Sequence, residues 1–252
     1  MNYPNFSEEK KLWKQGINMV VGLDEAGRGP LAGPVVAAAV CIKPQTLMIN
    51  DQSNSKKSKS KNISGIKSLG FNWGLGIGNW DFGIRDSKQL SEKKREELYK
   101  ILTSHNNISW GIGIVSEKVI DKINILRATK LAMQKAILDI SCNSHGRENY
   151  KSIDFLLIDG NFTLPVPRGM TSGNFGQKSI IKGDQKVFSI AAASIIAKVT
   201  RDRIMQNMHK KYPEYRFDLH KGYGTALHIA NLRQFGPSNI HRKTFYPVSN
   251  FN

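Results

Sequence analysis

Short apolar runs separated by glycine-rich and polar clusters organise this 252-residue chain. Met19–Leu23 and Val35–Ile42 are β-branched and alanine-rich and predict two fully buried neighbouring strands joined by a glycine-rich turn. Ile108–Val115 alternates Ile and Trp with Gly and Ser and predicts a third strand; Asp154–Asp159 predicts a fourth, ending in an acid followed by Gly160 and Asn161. Helical patterns lie between them. One covers Ser7–Gln15, with Ser7 as its cap and Glu8 and Glu9 in its first turn. Ser91 caps a second, running to about Thr103, with Leu90, Leu98, Ile101 and Leu102 on its apolar side. Ser116 caps a short helix, Ile123 opens a longer one to about Ile140, and Phe188–Tyr212 and Ala226–Phe235 follow. Two connections are long. The stretch at about 44–84, rich in Asn, Ser, Lys and Gly, reads as an inserted flexible loop or a nucleic-acid-binding arm, and 161–179 reads as a Pro- and Gly-containing loop. The expected architecture is one α/β domain over residues 1–252, a mixed β-sheet flanked by helices with a helical C-terminal portion.

Charge narrows the possible partners. The 37 Lys plus Arg against 20 Asp plus Glu give +17 and point to a polyanion, above all nucleic acid. Residues 43–67 hold six Lys and one Asp, net +5, so +12 remains without them and the basic character is not confined to one loop. No stretch approaches the roughly 20 apolar residues of a membrane helix, and the polar start Met1–Lys14 has no signal-peptide core. The expectation is a cytoplasmic monomer with no membrane contact. Cys41 and Cys142 read as two separate thiols rather than a disulfide or a metal site.

Four acids carry the candidate chemistry. Asp24 and Glu25 close the first strand, Asp159 closes the fourth, and Asp184 follows Ile180-Ile181-Lys182-Gly183. Side chains alternate along a strand, so Asp24 and Glu25 converge only where the pleat breaks down, which Gly27, Gly29 and Gly33 permit. Asp159 reaches the same sheet edge as Asp24 if their strands are adjacent and parallel. Carboxylates forced together in an apolar setting repel, and a divalent cation removes that cost. Hard oxygen donors without a cysteine or histidine cluster suit Mg²⁺ or Mn²⁺ rather than Zn²⁺; the six histidines show no ligand spacing.

Asp24-Glu25-Ala26-Gly27-Arg28-Gly29-Pro30-Leu31-Ala32-Gly33-Pro34 resembles the signature of type 2 ribonuclease H, the ribonuclease HII family. The related ribonuclease HIII enzymes typically carry Thr where Arg28 stands. The resemblance implies a ribonuclease H-like fold and a metal-dependent endoribonuclease that uses two divalent ions. Its implied substrates are RNA:DNA hybrids and duplex DNA containing single ribonucleotides, cut 5' of the ribonucleotide to leave 3'-hydroxyl and 5'-phosphate ends. It also implies that Asp24 and Asp159 bridge both ions, that Glu25 ligates one, and that Asp184 helps bind the second or positions a water. The 25-residue step from Asp159 to Asp184 is longer than the family pattern, and so is the connection at 44–84.

Further matches add substrate contacts. Gly27-Arg28-Gly29 is implied to reach the 2'-hydroxyl through main-chain groups. Asp86-Ser87-Lys88-Gln89-Leu90-Ser91 implies that Lys88 lies near a phosphate, against the reading of a solvated loop lysine. His220-Lys221-Gly222-Tyr223-Gly224-Thr225 implies that Tyr223 packs on a sugar, against the reading of a buried, hydroxyl-bonded tyrosine. Ile123–Thr129 also resembles the family and reads as core packing. On the long helix Ser194, Lys198 and Arg201 fall at i, i+4 and i+7, a face that meets a phosphate backbone or is an ordinary exposed side.

Two other functions compete. A nucleotide-binding protein would use the glycine turn as a phosphate cradle, but Gly27, Gly29 and Gly33 have neither Rossmann nor P-loop spacing and lead into a strand. A noncatalytic basic module leaves strand-end acids facing a polyanion, a liability without metals.

Overall fold

The computed structural model describes residues 3–43, 84, 87, 90–142, 152–165 and 171–251. Apolar residues on both sides of the predicted strands demand a sheet covered on two faces, and that is the arrangement found. The strands are β1 (Val20–Ala26), β2 (Val35–Ile42), β3 (Ile108–Val115), β4 (Ile153–Asp159) and β5 (Thr171–Ile180). Their order is β3-β2-β1-β4-β5, with β1, β2 and β3 antiparallel and β1, β4 and β5 parallel.

The helices are α1 (Ser7–Lys14), α2 (Glu92–Ser104), α3 (Glu117–Ile123), α4 (Ile125–Cys142), α5 (Phe188–Lys211), α6 (Phe217–His220) and α7 (Ala226–Phe235). Strand alternation sorts the core into two layers. Val20, Ala26, Ala38, Val40 and Ile42 pack with α5, α2 and Trp13 of α1, whereas Val21, Leu23, Ala37, Ala39 and Cys41 pack with α4. Glycines let both helices lie hard against the strands. A Cβ on Gly22 would sit 2.4 Å from the Ser189 carbonyl carbon, and one on Gly113 would sit 1.9 Å from the Ala132 carbonyl oxygen. Ala32, Met205, Tyr215, Phe217 and Ile240 form a smaller C-terminal cluster.

The structure corrects several expectations. The supposed loop at 161–179 contains most of β5, which pairs in parallel with β4 through Phe155↔Gly176 to Asp159↔Ile180. Its sequence, Thr-Ser-Gly-Asn-Phe-Gly-Gln-Lys-Ser-Ile, is polar and glycine-bearing because it is an edge strand, which conceals it from a search for apolar runs. Ser7 does not cap α1; Asn5 does the equivalent work, its Oδ1 accepting from the Ser7 N–H at 2.9 Å. Ser91 caps α2 as expected, accepting from the Lys94 N–H, but Ser116 makes no side-chain cap on α3. The helix expected to open at Ile123 is broken at Asn124, whose φ of 66° ends α3 before α4 begins. The expected insertion at 44–84 lies, except for the buried Ile84, outside the described residues.

One joint between these elements predicts a pH effect. Glu9 of α1 is 1% exposed, and its Oε1 accepts from the Ser189 N–H in the first turn of α5 at 2.9 Å. Burial raises its carboxyl from 4.5 to about 7. The folded-state value lies above the unfolded one, so the contribution to stability is full below about 4.5 and is lost as pH rises through about 7. Glu9→Gln keeps the acceptor and removes the charge. Urea denaturation should show the variant gaining on wild type by up to about 3 kcal/mol between pH 5 and pH 8.5; a gap that does not change with pH would refute this.

Candidate active site

The parallel register of β1 with β4, Val20↔Phe155 through Leu23↔Ile158, brings Asp24 beside Asp159. Both lie on the α5 face of the sheet, Asp24 with Val20 and Ala26, Asp159 with Leu157. Contrary to expectation the pleat does not break at Asp24. β1 continues to Ala26, so Glu25 shares the opposite face with Leu23 and Ala37, and it accepts from Arg28 at 3.3 Å. Asp24 is 5% exposed and accepts from the Glu25 N–H at 2.7 Å. Burial, then the charges of Glu25 and Asp159, push its carboxyl well above the usual aspartate range, while a hydrogen bond from Ser194 opposes the rise.

Asp184 joins this corner through a short turn. The Gly183 N–H donates to Asp159 Oδ1 at 2.7 Å, and Gly183–Gln185 forms one 3₁₀ turn just before α5. Asp184 itself is buried. The four acids thus come from the ends of two adjacent strands and from a turn bonded to one of them. Among the described residues no group of three or more His, Cys, Asp or Glu side chains stands ready to hold an ion. The donor chemistry nevertheless fits a hard divalent cation, because paired, largely desolvated carboxylates repel until a cation compensates them.

Other predicted residues fall less uniformly. Ser194 is buried, with Ser87 Oγ 2.8 Å from its own Oγ, and it serves Asp24 instead of lining open surface. Arg201 also turns inward and is fully buried, so Ser194, Lys198 and Arg201 do not form one exposed face on α5. Lys198 is half-buried, bonds Asp202 Oδ1 at 2.7 Å and lies 5.7 Å from the Tyr223 ring centroid. Tyr223 is 41% exposed, which excludes the buried, hydroxyl-bonded alternative. Arg28 and Gly29 are exposed; Gly27 is buried at φ 100°, and a Cβ there would meet the Arg201 side chain at 2.2 Å. Lys88 lies outside the described residues.

Spacing alone concealed a second layer beneath Tyr223. His220, His228 and His241 gather in the C-terminal cluster although they are scattered in sequence, and only the fold makes them neighbours. Their bonds define one set of tautomers. The Ser238 N–H donates to His241 Nδ1 at 2.9 Å, so His241 carries its proton on Nε2, which faces His228 Nε2 at 3.0 Å. His228 Nδ1–H then donates to the Tyr223 carbonyl at 2.9 Å. Burial lowers both His228 and His241 to about 4, keeping this chain of bonds neutral.

The family model "Ribonuclease HII" matches residues 21–69 and 80–248. Ribonuclease HII of Chlamydia caviae is 43% identical over 240 residues, covering 95% of this chain and 90% of that protein. Among solved structures, ribonuclease H2 of Pyrococcus horikoshii OT3 superposes with a TM-score of 0.60 at 24% identity, covering 92% of this chain and 96% of that one. Bst-RNase HIII in complex with Mn²⁺ gives 0.61 at 14% identity, covering 92% and 68%. These structures share the mixed-sheet fold. With a matching family model and near-complete coverage by a close relative, the chain belongs to the ribonuclease HII family, endonucleases that hydrolyse the RNA strand of RNA:DNA hybrids.

Proposed function

We propose that this ribonuclease also incises duplex DNA 5' of a single embedded ribonucleotide, leaving 3'-hydroxyl and 5'-phosphate ends. The observation that carries this reading is the pairing of Asp24 with Asp159 on adjacent parallel strands, beside a glycine turn open to solvent at Arg28 and Gly29. Asp24 and Asp159 would hold Mg²⁺ or Mn²⁺, with Asp184 helping to hold a second ion or a water; Glu25, on the opposite face of β1, would join them by turning from Arg28 around the strand end. When bound, such ions activate the attacking water and stabilise the leaving oxygen. The protein's own part is positional. Asp159 is oriented by the Gly183 N–H and Asp24 by Ser194 and the Glu25 N–H, so both carboxylates keep fixed directions toward the scissile phosphate. Arg28 pairs with Glu25 at 3.3 Å. Reading of the 2'-hydroxyl falls to the main chain of Gly27-Arg28-Gly29, and Tyr223 packs on the neighbouring sugar. Lys198, held near the Tyr223 ring, adds positive charge at that surface.

The test is incubation with a duplex DNA carrying one ribonucleotide, with and without Mg²⁺ or Mn²⁺, and mapping of the ends. Incision 5' of the ribonucleotide that stops in EDTA is the expected result. Tyr223→Ala should lower the cutting rate roughly tenfold or more while general duplex binding changes by less than about threefold. Equal losses in both, or incision that persists without metal, would overturn the assignment.

A further inference from the structure

Two buried arginines converge on the glycine turn from beneath. Arg242 is fully buried, and its guanidinium donates to three main-chain carbonyls: Gly33 at 3.0 Å, Arg28 at 2.9 Å and Gly27 at 2.6 Å. Arg201, equally buried, donates to Pro34 at 3.0 Å, Ala32 at 3.1 Å and Lys221 at 3.0 Å. Neither makes a salt bridge to a carboxylate among the described residues. Burial disfavours the charged form of both, lowering Arg242 to about 9, so it still carries its charge at pH 7. Two desolvated cations are thus satisfied almost wholly by peptide oxygens, an arrangement that costs stability and that packing alone does not require.

The consequence lies on the opposite side of the turn. In a planar trans peptide the C=O and N–H point in opposite directions. With the Gly27 and Arg28 carbonyls drawn inward onto Arg242, the Arg28 and Gly29 N–H groups point away from the interior. Both residues are exposed, and neither N–H has a partner among the described residues. The sixth bond extends the device. Arg201 ties the Lys221 carbonyl, two residues before Tyr223, to the same turn, and the Leu31 N–H donates to the Gly222 carbonyl at 2.8 Å. The glycine turn and the Tyr223 turn are therefore held as one body.

We propose that Arg242, with Arg201, is a positioning residue for ribonucleotide recognition: it fixes the peptide planes of Gly27–Gly29 so that two consecutive N–H groups face the ribose and its phosphate. The role requires a planar fork that reaches three carbonyls at once, which a lysine ammonium on a single stem cannot supply. It rests on the reading of the glycine turn as the ribose sensor, and the experiment separates the two.

Cleavage of a single-ribonucleotide duplex is measured with Mg²⁺, together with the inhibition constant of the same duplex made entirely of DNA as a competitor. Arg242→Lys should lower kcat/KM on the ribonucleotide substrate roughly tenfold or more, while the inhibition constant of the all-DNA duplex stays within about twofold, because that binding rests on phosphate charge. A folded Arg242→Lys enzyme with unchanged kcat/KM would sink the inference, as would parallel losses in both quantities. If wild type binds the ribonucleotide duplex no better than the all-DNA one, the sensor reading fails and takes this inference with it. A second measurement needs no variant. In wild type the Arg28 and Gly29 amides should exchange rapidly in the free protein and become protected by the ribonucleotide duplex but not by the all-DNA duplex. Amides already protected in the free protein would mean that the peptides face inward, and the inference would fall.

Discussion

Asp24→Asn is expected to lower metal-dependent cleavage by more than about a hundredfold, since even the outer partners of metal ligands typically contribute 10–100-fold. The same change should raise the melting temperature in EDTA. Wild-type Asp24 is buried with Glu25 and Asp159 charges close by, so the metal-free protein holds a carboxylate that its surroundings disfavour. Asparagine keeps one oxygen to accept from the Glu25 N–H, and its amide can still bond the Ser194 hydroxyl, without the charge. Adding Mg²⁺ should then stabilise wild type more than the variant, because only wild type retains the full donor set. Calorimetry with and without metal, alongside the cleavage assay, checks all three parts. A variant that keeps its activity, or gains equally from Mg²⁺, would show that Asp24 does not hold the ion.

Gly113→Ala is the second large effect, and it is purely structural. The new methyl would lie 1.9 Å from the Ala132 carbonyl oxygen and 2.6 Å from the Ala136 nitrogen, both backbone atoms of α4 that no rotamer change can move aside. The helix must retreat from β3, uncovering the layer formed by Ala132, Met133, Ala136 and Ile140. The cost should be about 3 kcal/mol or more, or roughly 6–12 °C in melting temperature for a protein of this size. Gly29→Ala is the control: nothing lies within 4 Å of its would-be Cβ, so its stability should change by less than about 0.5 kcal/mol. Similar melting temperatures for the two variants would contradict the packing described.

Sequence revealed what is local or has a strong period. β3 is legible to its terminal residues, α7 likewise, and the parallel register of β1 with β4 meets the condition under which Asp24 and Asp159 share one sheet edge. Edge position hid β5, whose exposed side asks for no apolar residues. Ser194 and Arg201 lie on the helix that the sequence predicts, but both side chains turn inward. α5 is buried nearly all round in its first half, so spacing along it carries no information about which polar side chains reach solvent. The histidine chain and the Arg242 clamp are invisible for a different reason. Most of their partners are main-chain groups, which every residue possesses and no motif marks.

α5 touches each part of this site in turn. Near its start the Ser189 N–H donates to Glu9, Ser194 supports Asp24, and Arg201 grips the glycine and Tyr223 turns. Seven residues separate Ser194 from Arg201, two helical turns or roughly 10 Å of stiff rod. On the proposed assignment that rod is a ruler: the offset between the sugar that is read and the bond that is cut is set by helical rise, and loop variation around it leaves the cutting position unchanged.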